Sequence, residues 1–184
     1  KRSGKDSAAE VLVRDFEYHL LKFAGPIKEL MLQFLLDVYG IEVSYADVDG
    51  QGIDRTKPLV GSEGATLTLG GKPLTLRWAL QWFGTNIIRD HVGSTVWSNA
   101  VAEKIEDSGE SFVISDCRFP DEAELIRKRF KDTHHVIVIR VKRPGTEPGP
   151  DAHASETAVD DVVPDLVIEN VGSLADLEAK MHSV

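Results

Sequence analysis

Three short apolar runs constrain this chain more than any other feature: "SFVISD" (111–116), "HHVIVIRV" (134–141) and "DLVIEN" (165–170). Their Val, Ile and Phe residues follow one another without polar alternation, the pattern of strands buried on both faces. Helical patterns separate them. "PDEAELIRKRF" (120–130) opens with proline and acids, as first turns prefer, and "SLADLEAKM" (173–181) starts at a capping serine, Ser173. Buried strands alternating with helices predict an α/β fold of three layers, with a mostly parallel central sheet and helices on both faces.

The remaining elements read around that frame. "SAAEVLVRDF" (7–16) spaces Ala8, Val11, Leu12 and Phe16 on one helical face, and "YHLLKFA" (18–24) is a short strand. "GPIKELMLQFLLDVYG" (25–40) is a helix with Pro26 in its first turn and Gly40 as its stop. Residues 41–63 are Gly- and Asp-rich and read as irregular. "ATLTLGGKPLTL" (65–76) predicts a hairpin turning at Gly70-Gly71. Residues 76–105 predict two helices broken near Gly93, with Ser94 capping the second, and "KRPGTEPGPDAHASE" (142–156) is a loop. No repeat appears, and 184 residues with 42% hydrophobic content suit a single domain, 1–184, with its own core.

Cys117 is the sole cysteine, which excludes an internal disulfide and a cysteine-based zinc site. The formal net charge of −9 argues against duplex nucleic acid, because no global positive field displaces its counterions. A small anion needs only a few converging cations and N–H groups. No apolar run has membrane-spanning length and no secretory pattern is present, so a cytosolic protein is expected.

Three stretches carry candidate chemistry. "KRSGKDS" (1–7) fits the end of the phosphate-cradling pattern G-x-x-x-x-G-K-[ST], in which backbone N–H groups and a lysine hold phosphates. Gly4 and Lys5 match; Asp6 stands where the hydroxyl residue belongs, Ser7 follows, and the first glycine would precede Lys1. Read alone, a basic tail with Asp6 at a helix N-terminus fits equally well. "FVISDCRFPDEAE" (112–124) ends a buried strand in an acid, where open α/β sheets gather ligands. Asp116 there suits a metal-associated acid and Arg118 a phosphoryl contact. The plainer account is an Asp116–Arg118 ion pair with Glu122 as a first-turn acid. In residues 77–97, Arg77 and Arg89 bracket Gly84-Thr85 with Trp82 and Trp97 nearby, a set suited to a nucleoside phosphate. Against that, Trp78, Trp82 and Trp97 read more simply as core, and Arg89-Asp90 as a surface pair. His134, His135 and His153 lack metal spacing, Ser155 and Glu156 suit a turn, and Glu110 lies among solvated acids.

Taken in order, "KRSGKDS", "FAGPIKEL", "GIDR", "LRWALQWFGT", "VW", "SDCRFPDEAE", "VKRPG", "AHASE" and "DLVIENVGSLADL" closely resemble the deoxynucleoside monophosphate kinases of tailed bacteriophages, over almost the whole chain. The resemblance implies a phosphate-loop enzyme that transfers the γ-phosphoryl group of ATP, with Mg2+, to deoxynucleoside monophosphates. The diphosphates would serve phage DNA synthesis in the cytoplasm of the infected host. It implies that Arg2, Ser3, Gly4, Lys5, Asp6 and Ser7 bind ATP, with Lys5 catalytic, and that Asp after the loop lysine is usual. Lys1 is implied to face the acceptor, as are Ile27, Lys28, Arg55, Arg77 and Trp97, with Gly84 and Thr85 in the same binding cleft. Asp116, Arg118 and Glu122 match the acid-rich strand-exit motif, Asp116 joining Asp6 and Ser7 near the metal. Related enzymes form dimers, which implies a homodimer.

The family carries a strand and a glycine ahead of Lys-Arg-Ser-Gly-Lys, so this sequence is expected to be trimmed at its start. The segment between the hairpin and Arg77 is shorter than in larger members, which leaves its part in base choice open. On this reading both substrates are anions, and catalysis means aligning them and neutralising developing charge. Arg118, Arg77 and Arg89 would clamp the acceptor phosphate, and the loop carrying Arg140, Lys142 and Arg143 would close over ATP. Two rivals stand beside it: a phosphate-loop kinase for another phosphorylated small molecule, such as phosphomevalonate, and a catalytically silent nucleotide-binding module. "AGPIK" and "LQWFGT" oppose the first; Lys5 with Asp116 opposes the second.

Overall fold

The computed structural model describes residues 3–61, 63–146 and 153–184. Along the chain run helix α1 (Lys5–Phe16), strand β1 (His19–Leu21), helices α2 (Gly25–Tyr39) and α3 (Tyr45–Asp49), and strands β2 (Thr68–Leu69) and β3 (Lys72–Pro73). Helix α4 (Leu76–Gln81), a π-helix (Trp82–Val92), α5 (Val96–Glu106), β4 (Phe112–Ile114) and α6 (Pro120–Phe130) follow. The chain continues through β5 (Ile139–Lys142), α7 (Ala154–Thr157), a 3-10 turn (Ala158–Asp161), β6 (Leu166–Glu169) and α8 (Leu174–Met181). These elements fall into two compact units: Ala24–Trp97 is one, and the flanking chain, up to Phe23 and from Ser98, is the other.

The flanking unit is mixed α/β with parallel pairing, as the alternation of buried strands and helices predicts. β1 pairs with β4, Leu20 opposite Val113, and β5 pairs with β6, Val141 opposite Ile168. Two apolar clusters hold these pairs. Phe23, Val101, Ala102, Ile105, Ile126 and Phe130 pack with Leu21, Phe112 and Ile114, joining α5 and α6 to the first pair. Ala8, Val11, Ile168, Leu177 and Met181 pack with Ile139 and Val141, joining α1 and α8 to the second. Helix α8 is capped as predicted: Ser173 Oγ accepts the Asp176 N–H at 3.2 Å, and the Asp176 carboxylate accepts the Ser173 N–H at 2.7 Å.

β5 begins later than "HHVIVIRV" suggests. The Val138 N–H donates to Asp165 Oδ2 at 2.7 Å, while the Asp165 N–H donates to the Val138 carbonyl at 2.8 Å. A side chain thus takes the place of a ladder bond, and the ladder proper starts at Ile139.

The Ala24–Trp97 unit has a core of Met31, Leu35, Val48, Leu59, Leu74, Leu76 and Ala79. Leu35, Leu74 and Leu76 are fully buried, each worth about 1.5–3 kcal/mol of transfer free energy. Helix α2 stops at Gly40, whose φ of 63° is left-handed and whose N–H reaches the Leu35 and Leu36 carbonyls. β2 and β3 form the antiparallel hairpin turning at Gly70-Gly71. Two features depart from expectation. Residues 41–63 contain α3, opened by a capping box between Ser44 and Asp47. The first predicted helix before Gly93 changes register at Trp82 and runs on as a π-helix, closed by the Gly93 N–H donating to the Ile88 carbonyl at 2.9 Å.

Candidate functional site

In the flanking unit the candidates gather at strand exits. Gly4 opens α1 with φ 100°, a conformation that disfavours any side chain, and its carbonyl accepts the Ala8 N–H at 2.9 Å. Asn170, just past the carboxyl end of β6 and 5% exposed, donates its amide to the Ser3 carbonyl at 2.8 Å. Its own N–H donates to the Lys142 carbonyl at 2.7 Å, at the end of β5. A Cβ on Gly4 would come within 2.3 Å of the Asn170 amide nitrogen, so the turn and the asparagine need each other's shape. Sequence reasoning did not single out Asn170; an amide residue ending a buried-strand run was the available signal.

Lys5 and Asp6 form an ion pair at 2.5 Å, with side chains 41% and 63% exposed, and Ser7 is half-buried. Such an exposed pair adds little stability, so both groups stay available for other partners. Lys1 and Arg2 lie outside the described residues. Helix α1 packs against β4, whose exit carries Asp116. Asp116 Oδ1 accepts the Phe23 N–H at 2.7 Å and so ties the exit of β1 to that of β4.

Glu122 is buried, and its Oε2 accepts the N–H groups of Arg118 at 2.8 Å and Phe119 at 3.0 Å. The carboxylate thereby fixes the turn that presents Arg118 and caps α6. Cys117, between them, has its thiol pushed up to about 12, by burial first and then by the nearby charges of Glu122 and Asp116. Arg140 donates to the carbonyls of Val159, at 2.7 Å, and Val162, which engages its guanidinium with the turn before β6, while Lys142 and Arg143 are exposed.

Within Ala24–Trp97 the structure brings Ile27, Gly84 and Trp97 into contact. The Trp97 indole N–H donates to the Gly84 carbonyl at 3.0 Å, and a Cβ on Gly84 would meet Ile27 Cδ1 at 2.3 Å. Ile27 and Trp97 are buried. Lys28 is also buried, and its ammonium donates to Asp49 Oδ1 at 2.5 Å. Arg55 Nη1 donates to the Val48 carbonyl at 3.0 Å, and the Arg55 carbonyl accepts the Arg77 N–H at 3.0 Å, which links these two candidates through the backbone. Arg89 donates to the Ser94 carbonyl beyond the π-helix, and Thr85 is half-buried in it. Trp78 and Trp82 stack on each other, with centroids 5.5 Å apart. Asp49 went unnoticed in the sequence because its partner lies 21 residues away.

Among the described residues no three His, Cys, Asp or Glu side chains gather as a metal cage, and no helix is long and apolar enough to cross a membrane. Magnesium in phosphoryl-transfer sites takes one or two carboxylates plus substrate phosphates, so a cage made wholly of protein ligands is not required.

No curated protein matches the chain. The family model for deoxynucleotide monophosphate kinase matches residues 1–69 and 63–181, running through both units. The chain therefore belongs to the deoxynucleotide monophosphate kinase family, and its activity is phosphorylation of deoxynucleotide monophosphates.

Proposed function

We propose that the donor is ATP, bound with Mg2+ by the flanking unit, and that most of the residues serving the deoxynucleoside monophosphate lie in Ala24–Trp97. The observation that carries this reading is the braced turn at Gly4: a left-handed glycine at a helix N-terminus, followed by Lys5 and fastened through Ser3 to Asn170. Helix N-termini with oriented N–H groups favour phosphate. On this reading Arg2, Ser3, Gly4, Asp6 and Ser7 contact ATP and Lys5 neutralises its outer phosphates. Asp6, Ser7 and Asp116 would hold the metal, which when bound spreads the charge of the transferred group. Lys1, Ile27, Lys28, Arg55, Arg77, Gly84, Thr85, Arg89, Trp97, Arg118 and Glu122 belong to the acceptor side, Glu122 by shaping the turn at Arg118.

Residues 1–184 act as one kinase domain of the phosphate-loop class, in three layers. The phage resemblance supports a role in DNA precursor synthesis in the host cytoplasm, as a homodimer. Little covalent chemistry falls to the protein: it aligns two anions and offsets charge developing in flight.

The test is transfer of labelled γ-phosphate from ATP to each of the four deoxynucleoside monophosphates, resolved by thin-layer chromatography, for the wild type and Lys5→Ala. Diphosphate products are expected, with Lys5→Ala slower by roughly 10²–10³ and unchanged in its melting curve. Near-normal turnover in folded Lys5→Ala would refute the assignment of Lys5.

A further inference from the structure

We propose that Asp49 is a positioning residue for the acceptor nucleotide, acting through Lys28. The proposal rests on the reading of Lys28 as an acceptor contact. The Lys28 and Asp49 side chains are 8% and 11% exposed, and the ammonium lies 2.5 Å from Asp49 Oδ1 and 5.9 Å from the centroid of the Tyr45 ring. A carboxylate repels an anionic acceptor, so a buried aspartate on the acceptor side acts on the cation beside it and not on the phosphate. An ammonium is a point charge on a flexible four-carbon stem with three donors. Giving one N–H to Asp49 sets where the others point and removes rotamer freedom before the nucleotide arrives.

That service requires Asp49 itself to be fixed, and helix α3 is fastened at both ends. At its start Ser44 and Asp47 cap each other, with the Asp47 carboxylate held below its usual range by the Ser44 hydroxyl and then the Ser44 N–H. At its end Gly50 takes φ 87° against the Arg55 guanidinium, where a Cβ would come within 2.7 Å of Nε, while Arg55 Nη1 bonds the Val48 carbonyl. The last residue of this pinned turn is Asp49.

The experiment compares Lys28→Met, Asp49→Asn and the double variant, each with monophosphate and ATP varied separately, alongside melting curves. Lys28→Met and Asp49→Asn are each expected to raise the monophosphate KM by roughly ten- to hundredfold, the factor that loss of a charge-assisted contact carries. The ATP KM should stay within about twofold, and in the double variant Asp49→Asn should add nothing to Lys28→Met. Asp49→Glu keeps the charge but displaces it; it should raise the monophosphate KM less than Asn does, and it gives the answer if the Asn variant does not fold. Lys28→Met with a wild-type monophosphate KM overturns the acceptor reading of Lys28, and this inference with it. If Lys28→Met raises that KM while neither Asp49 variant does, only the inference falls. A lowered melting temperature with both KM values unchanged, or independent effects in the double variant, also overturns it.

Discussion

On the proposed reading, Asp116 faces two demands on one carboxylate. Its Oδ1 holds the Phe23 N–H at 2.7 Å, which is structural, and its charge is what a magnesium-associated acid needs. Asn keeps the oxygen and loses the charge. Asp116→Asn should therefore melt close to the wild type yet turn over at least tenfold more slowly and need more magnesium, read from activity against magnesium concentration. A wild-type magnesium titration would leave Asp116 a structural tie between two strand exits. The sequence pointed to this residue because an acid closes the run "FVIS", although an ion pair at the strand exit read as well. Glu122 was legible in type but not in detail: a first-turn acid is expected, while its grip on two N–H groups shows only in three dimensions. Asn170 and Asp49 were not legible, because Asn170 meets Ser3 across 167 residues and Asp49 meets Lys28 across 21.

At the scale of elements, the π-helix is the feature that sequence spacing conceals. Its apolar residues keep a helix-like spacing, and over eleven residues that spacing does not tell an i→i+4 ladder from an i→i+5 one. Tertiary contacts accompany the wider register here: the Trp97 indole bonds the Gly84 carbonyl, and Ile27 fills the space above Gly84. Trp97→Phe keeps an aromatic ring and removes the donor, which costs the Gly84 carbonyl its bond from outside the helix, about 0.5–1.5 kcal/mol. We expect a melting temperature lower by several degrees and a raised monophosphate KM with an unchanged ATP KM. A lower melting temperature alone would make Trp97 a support only. Helix α3, by contrast, was within reach, since Ser44-x-x-Asp47 is a capping pattern; the surrounding Gly and Asp obscured it. The breaks at Gly40, Gly70-Gly71 and Gly93 were readable because glycine ends helices and fills tight turns without steric cost.

For the whole molecule, the division at Phe23/Ala24 and Trp97/Ser98 left no compositional trace. No long polar linker marks either boundary: Phe23 belongs to a core cluster of the flanking unit, and Trp97 packs within Ala24–Trp97. The division predicts a split response in hydrogen exchange. A monophosphate should slow amides in residues 24–97 and at the Arg118–Glu122 turn, and a non-hydrolysable ATP analogue should slow those at the start of α1 and around Asn170. The same protection pattern from both ligands would contradict the proposed allocation of substrates. The inserted course of Ala24–Trp97 also bears on how such a kinase diversifies. Eight of the proposed acceptor contacts travel in one uninterrupted stretch, so recombination at two points, or a graft from a relative, could exchange nucleotide preference as a cassette while the ATP-binding turn at Gly4 is inherited untouched.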